Sequence, residues 1–241
     1  MINLKSHIDG ATKIVAFTGA GISTESGISD YRSQGGIWDK YQPVTIQQFL
    51  ASEEHRRLYW QRKLALYEEN KNAKPNSGHL ALVKLEAQGK LRGIITQNID
   101  GLHRLAGTPP KKLLEIHGNN LEVICLDCGE ITPWEHAYER LKKDETVPLC
   151  LKCNGLLKPN TISFGQNLDP VVLATAVEWA RDCDLMLAVG STLVVEPAAS
   201  IPRIAKQNGA KLVIITRSET PLDDIADLKI SDSIGEVLGC V

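Results

Sequence analysis

Two kinds of residue in this 241-residue chain carry chemistry by type and spacing. The first are cysteines. Cys125 and Cys128 form one CxxC, and Cys150 and Cys153 form another after 21 intervening residues. A CxxC sets two thiolates on one tight turn, and two such turns supply the four soft ligands of a tetrahedral zinc site. Gly129 and Asn154-Gly155 suit the knuckle turns. With four thiolates no position stays open for water, so the zinc is expected to be structural. Cys183 and Cys240 stand alone and read as small buried side chains. The second kind is glycine. Gly19-Ala20-Gly21-Ile22-Ser23-Thr24-Glu25-Ser26-Gly27 follows an apolar run, where glycines let the backbone approach a phosphate and a helix N-terminus favours negative charge. The dehydrogenase fingerprint is not met. Thr24 stands at the third glycine, and Asp39 sits at the distance of the ribose-binding acid but within loop-like GGIWDKYQP. Hydride transfer is disfavoured.

These residues need elements to hold them. Lys13–Thr18, Gly93–Thr96, Asp184–Val189 and Lys211–Thr216 are short, β-branched apolar runs that read as buried parallel strands. Asp169–Arg181 and Pro197–Gln207 show apolar residues at helical spacing. Strands alternating with helices predict a doubly wound α/β core with a parallel sheet. Val44–Glu69, mostly helical, and Glu122–Pro159, of low periodicity, break that rhythm. The expected division is a Rossmann-like domain of residues 1–43, 70–120 and 160–241. A smaller module then takes residues 44–69 as its helical part and 121–159 as its zinc ribbon.

Composition sets limits. A net charge of −2 offers no basic face for nucleic acid. No run of eighteen apolar residues exists, so no membrane span is expected. Met1–Ala11 has neither an apolar signal core nor an Arg-rich transit pattern. A cytoplasmic, reducing setting is expected, where six cysteines do not imply a disulfide framework.

Further along come Ser29-Asp30-Tyr31-Arg32, Thr96-Gln97-Asn98-Ile99-Asp100, Glu115-Ile116-His117-Gly118 and Gly190-Ser191-Thr192. With the glycine loop and the cysteines, in this order and spacing, they resemble the sirtuin (Sir2) family of NAD-dependent protein deacylases. The resemblance runs from about Gly19 to the C-terminus. It implies that Gly19, Ala20 and Gly21 hold the NAD phosphates, with Ile22 and Ser23 beside them. It places Asp30, Tyr31 and Arg32 in the same cofactor loop, Tyr31 shielding the bond between ribose and nicotinamide. Gln97, Asn98, Ile99 and Asp100 match the residues around the ribose and nicotinamide pocket, and carboxamides there can hold the nicotinamide amide. Gly190, Ser191 and Thr192 belong to the same site, with Thr216, Arg217 and Ile234 towards adenosine.

His117 matches the family's catalytic histidine, with Asn98 its companion. An imidazole titrates near neutrality and can take a hydroxyl proton. In the family's reaction the acyl-lysine carbonyl oxygen attacks the ribose carbon as nicotinamide leaves. The histidine then activates a ribose hydroxyl. The products are free lysine, nicotinamide and acyl-ADP-ribose. NAD is thus a consumed co-substrate. Phe164-Gly165 and Val194-Val195-Glu196-Pro197 resemble the two strands between which an acyl-lysine peptide lies by backbone hydrogen bonding. His79 is expected to be structural, and His7, His55, His103 and His136 to be surface or packing residues.

The chain departs from the pattern at Ser29 (usually proline), Gln166 (usually glutamate), Thr216 (usually asparagine) and Ile234 (usually alanine). These changes touch the adenine contacts and leave the catalytic set intact. Tyr59 and Arg62 share a helix face. They resemble the Tyr-x-x-Arg pair of the subgroup that removes acidic acyl groups, although their surroundings are closer to the class II branch. An amphipathic helix with Tyr59 packed and Arg62 solvated is the competing reading. Two alternatives to deacylation stand: ADP-ribosyl transfer to protein, and a non-catalytic NAD- or ADP-ribose-binding module. The sequence gives no oligomeric state.

Overall fold

In the computed structural model, which describes residues 2–239, each expected apolar run is a strand. Cys240 lies outside the described residues. β1 (Ile14–Thr18), β2 (Leu91–Thr96) and β3 (Leu113–Glu115) come first along the chain. β4 (Gly118–Cys125), β5 (Ile131–Pro133) and β6 (Leu157–Thr161) form a separate three-stranded antiparallel sheet in the order β5-β4-β6. β7 (Leu185–Val189), β8 (Lys211–Ile215) and β9 (Leu228–Ile230) rejoin the first group. The large sheet has the order β3-β2-β1-β7-β8-β9, and every pair in it is parallel. The strand order turns back between β1 and β7. In an open α/β sheet this switch point opens a crevice beyond the strand C-termini, where ligands bind.

The helices are α1 (Ile2–Gly10), α2 (Ile37–Lys40), α3 (Ile46–Ala51), α4 (Glu53–Asn70), α5 (Ser77–Ala87), α6 (Leu102–Leu105), α7 (Trp134–Leu141), α8 (Pro170–Asp182), α9 (Ser200–Gln207) and α10 (Ile234–Gly239). Strand parity decides what each covers. Ile14, Ala16, Leu187 and Val189 face one side of the sheet, against Leu4 and Ile8 of α1, Leu82 and Leu85 of α5, and Leu238 of α10. Val15, Phe17, Met186 and Ala188 face the other, against Ala176 and Trp179 of α8 and Ile201 and Ala205 of α9. Both faces are buried, so these strands read as continuous apolar runs rather than alternating ones.

Several helices differ from the sequence expectation. α1 occupies a segment whose mixed polarity gave no pattern. GGIWDKYQP, expected as loop, contains α2, a single turn that buries Ile37. The helix expected from Pro197 begins at Ser200, because residues 197–199 form a turn closed by Ser200 Oγ on Pro197 O at 2.7 Å. The stretch before β6 contains α7, which buries Trp134, Ala137 and Leu141 on one stripe. That stripe is only three residues long and lies among turns, so it is too short to stand out as a period.

The small sheet and α4 share one core. Trp60 of α4 stacks on Trp134 of α7 with ring centroids 5.9 Å apart, and Val123, Cys125, Cys150 and Leu157 complete the cluster. Among the described residues no helix is long and apolar enough to cross a membrane.

Candidate functional site

At the switch point the loops after β1 and β7 pack backbone against backbone. Gly19 N donates to Val189 O and Gly21 N to Gly190 O, both at 2.9 Å. Gly190 has φ +65°, and a Cβ there would lie 2.3 Å from Ile22 N. The glycines are therefore required first by each other: their bare faces bring the two loops together. Beyond Gly19 the chain forms a 3-10 helix, Ala20–Ser26, rather than an α-helix, and it ends at Gly27 in the left-handed region.

A cavity of about 1800 Å³ opens over these loops. Its walls include Gly19, Ala20, Gly21, Ser23, Asp30, Tyr31, Arg32, Gln97, Asn98, Ile99, Asp100 and His117. Gly190, Ser191, Thr192, Thr216, Arg217 and Ile234 line the same cavity, as do Tyr59, Arg62, Phe164, Gly165 and Glu196. Two of the expected site residues stand apart. The Ile22 side chain is fully buried in the core under the loop, because the 3-10 turn directs it towards Leu82 and Ile234 rather than outward. Val194 is half exposed and lies outside the cavity walls, which take Val195 instead.

Asp30 holds the loop after Gly27 in shape. Its carboxylate accepts Arg32 N at 3.0 Å, Ser33 N at 2.8 Å and the Ser33 hydroxyl. Burial works against the charge, but these bonds and the Arg32 guanidinium outweigh it, so the carboxyl sits below its usual range. Tyr31 is pushed up to about 12, by burial first and then by the Asp100 charge, and stays a neutral phenol. Its ring lies 4.9 Å from that of Trp38, which lies 5.8 Å from Phe164. This aromatic ladder ties the loop to the Phe164-Gly165 segment. Trp38 was missed because its surroundings read as loop; an aromatic seven residues beyond Tyr31 was the only signal.

Gln97 donates to Ser191 Oγ at 2.8 Å, joining the loops after β2 and β7. Asn98 is buried, and its carboxamide donates to Gly19 O at 3.1 Å and Ser23 Oγ at 3.2 Å. Ser23 in turn donates to Asp100 at 2.7 Å. His117 precedes β4, and its Nδ1 lies 3.1 Å from Gln97 O. A carbonyl only accepts, so Nδ1 carries the proton and Nε2 keeps a free lone pair. Burial lowers the His117 pKa, and the bond to Gln97 O opposes this only in part. The imidazole is therefore neutral at pH 7 and able to accept a proton.

Tyr59 is buried, with its hydroxyl 3.4 Å from Thr161 Oγ1. Burial would raise its pKa, but the ammonium groups of Lys63 and Lys158 bring it down to about 8. They lie 5.5 and 5.8 Å from its ring. Neither lysine was singled out from the sequence, since Lys158 lies in β6 and yet is fully buried. Arg62 donates to Gln42 O and lies 5.6 Å from the Tyr41 ring centroid. Arg62 is thus engaged at the cavity wall while still partly exposed.

The four cysteines gather at the far end of the small sheet. Their sulphurs all lie within 4.8 Å of one another, Cys125 and Cys153 at 3.5 Å and Cys128 and Cys150 at 3.8 Å, and none is in a disulfide. Zinc with four thiolates at about 2.3 Å in a tetrahedron needs sulphurs about 3.8 Å apart. The site fits that ion. The two knuckles repeat one geometry: Gly129 N bonds Cys125 O at 3.0 Å, and Asn154 N bonds Cys150 O at 2.8 Å. Gly129 and Asn154 both take positive φ, 73° and 60°. Cys183 is buried against α8, away from this cluster.

The match to known proteins extends over nearly all of the chain. The model of the Sir2 family matches residues 19–197. A protein of Thermodesulfovibrio yellowstonii, named NAD-dependent protein deacetylase, is 48% identical over 231 residues, 96% of this chain and 90% of that one. A solved structure of a Sir2 enzyme bound to a propionylated peptide superposes with TM-score 0.88 at 38% identity, covering 99% of this chain and 95% of its own. Another, of Sir2 with a p53 peptide and NAD+, gives 0.82 at 37% identity, covering 98% of this chain and 94% of its own. With the family model spanning most of its length and relatives alike end to end, the chain belongs to the Sir2 family.

Proposed function

We propose that this protein is an NAD-dependent protein-lysine deacylase that transfers the acyl group from lysine to ADP-ribose and releases nicotinamide. The observation that carries this reading is the neutral His117, with a free Nε2, in the wall of the cavity that Asn98 and the glycine loops also line. The cavity exceeds the roughly 300–1,000 Å³ of an ordinary small-molecule site. It has room for a dinucleotide together with an acylated side chain.

When bound, NAD supplies the ADP-ribose acceptor and the nicotinamide leaving group. The protein's residues bind and orient. The backbone of Gly19, Ala20, Gly21 and Gly190 would hold the phosphates, with Ser191 and Thr192 beside it and Ser23 bracing the loop from below through Asp100. Asn98 and Asp100 hold the ribose and nicotinamide end, and Gln97 is fixed by Ser191. Tyr31, Asp30 and Arg32 cover the glycosidic bond and exclude water. Thr216, Arg217 and Ile234 form the adenosine end. His117 Nε2 takes the proton of a ribose hydroxyl. The peptide lies between Phe164-Gly165 and Val194–Glu196, and its acyl group points towards Tyr59 and Arg62. Zinc at Cys125, Cys128, Cys150 and Cys153 holds the small module together and takes no part in the chemistry. That module is residues 44–69 with 121–159, and the remainder is the NAD-binding domain. The setting we assign is the cytoplasm, whose reducing conditions keep Cys125, Cys128, Cys150 and Cys153 available as zinc ligands.

The test is an incubation with NAD and a panel of acetyl-, succinyl- and long-acyl-lysine peptides, following peptide mass and nicotinamide. Loss of acyl mass matched one-for-one by nicotinamide is the expected result. ADP-ribose added to protein without acyl loss would overturn the reading.

A further inference from the structure

Beneath the cavity runs a closed circuit of buried polar groups whose starting residue, His103, has no part in the proposed reaction. His103 is 2% exposed, and its Nε2 lies 2.9 Å from Thr18 Oγ1. Thr18 Oγ1 donates to Thr96 Oγ1 at 2.8 Å, and Thr96 Oγ1 also accepts Asn98 N–H at 3.0 Å. The Asn98 carboxamide reaches Ser23 Oγ, Ser23 reaches Asp100, and the other Asp100 oxygen accepts Leu102 N at 2.9 Å. Leu102 opens α6, the helix that carries His103. The circuit returns to its start.

Hydrogen counting sets the tautomer. The single hydroxyl proton of Thr18 goes to Thr96, so His103 Nε2 carries a proton and donates. Its Nδ1 is then left buried with no partner. The His79 ring lies 4.9 Å away, and its Nε2 is likewise buried without a partner. An orphaned buried acceptor costs about 1–3 kcal/mol. An aliphatic side chain would fill the same space without that cost. The histidine therefore has its justification at Nε2. Burial first, and the neighbouring His79 second, hold its pKa down to about 3, so it stays neutral and Nε2 keeps donating to one oxygen.

The circuit stands where the main-chain ladder stops. Thr18 and Thr96 face each other at the ends of β1 and β2, and Gln97 N to Thr18 O, at 2.9 Å, is the last bond of that ladder. Asn98 lies one residue further, and its N–H is taken by the Thr96 hydroxyl instead. We propose that His103 is a positioning residue for Asn98: through Thr18 and Thr96 it fixes the Asn98 backbone, and with it the carboxamide at the nicotinamide end of the NAD site. The proposal rests on the NAD-dependent reading of that site.

The test compares His103→Met, which fills the volume without a donor, His103→Gln, which restores a donor, Thr18→Val, and the double variant His103→Met with Thr18→Val. Two quantities are read: Kd for NAD by calorimetry, which needs no turnover, and kcat against KM for nicotinamide release with an acetyl-lysine peptide. Loss of one buried bond predicts that His103→Met weakens NAD binding about fivefold or more and lowers kcat about tenfold, with KM for the peptide unchanged. His103→Gln recovers most of both. Because both single changes cut one circuit, the double variant is no worse than the worse single one. Wild-type Kd and kcat in His103→Met, additive losses in the double variant, or no recovery with glutamine would each overturn the proposal. Should His103→Met fail to fold, Thr18→Val alone carries the same expectation. A wild-type protein that releases no nicotinamide overturns the deacylase reading, and the pattern of NAD affinities still decides this one.

Discussion

The base role proposed for His117 requires a neutral imidazole, which gives that role a pH signature. Burial holds its pKa below the ordinary 6.5. A base is lost on protonation, so kcat/KM for deacylation should be flat through pH 7. It should then fall about tenfold per unit below an inflection under pH 6.5. His117→Ala should lower turnover about 10²- to 10⁴-fold and abolish that limb. A pH–rate profile of both proteins checks this, and an acid limb that survives in the alanine variant would assign it to another group. Tyr59 shows what a residue-scale reading of sequence can miss. The helical spacing of Tyr59 and Arg62 was legible, but the ammonium groups beside Tyr59 come from α4 and from β6, nearly a hundred residues away. Arg62 is partly exposed yet does not float free in the cavity. It is committed to Gln42 and Tyr41.

The elements explain why glycine is needed at both loops. The loop after β1 and the loop after β7 meet with no room for a Cβ on either. Gly190→Ala must both adopt a positive φ and push against Ile22 N, a main-chain atom that cannot rotate away. The expected cost is about 2 kcal/mol or more. In a chain of this size that corresponds to a fall in Tm of about 4–8 °C. NAD affinity should weaken in parallel, since the loop above Gly190 is displaced. Calorimetric scanning and a binding isotherm measure both. A variant with unchanged Tm would show that the loops separate readily. The glycine loop itself was legible, and so was its failure to match the dehydrogenase pattern. Its conformation was not. A 3-10 helix and an α-helix share the same glycines and hydroxyls, and the choice between them depends on contacts with Gly190 and Asn98.

At the scale of the whole molecule, zinc and tryptophan report on the same core. Cys125 and Cys150 belong to the cluster that contains Trp60 and Trp134. Four unligated thiols close together cannot hold two knuckles in place, whereas a bound structural zinc contributes folding free energy directly. Stripping the metal with a chelator, or Cys150→Ser, should therefore loosen the small module. Tryptophan emission should shift to the red and turnover should disappear. Most of the far-ultraviolet signal should remain, since the six-stranded sheet has its own two cores. Metal analysis alongside fluorescence measures this. Unchanged emission in a protein shown to be zinc-free would mean that the cluster stands by packing alone.

The sequence by itself determined the parallel sheet, because strands buried on both faces must be apolar throughout. It determined the zinc ligands, because CxxC turns are local, and it pointed to His117 and Asn98, because the motifs around them lie in short contiguous runs. What only the tertiary structure decided are the relations between distant segments. Thr18, Thr96 and His103 are ordinary residues in their own neighbourhoods, and β1, β2 and α6 bring them into one hydrogen-bonded circuit. Ile22 left the site for the core, and Trp38 entered it from a stretch that read as loop. A local pattern can show which groups could do chemistry. Packing between elements decides which lone pair is free, which donor is engaged and which side chain faces the cavity.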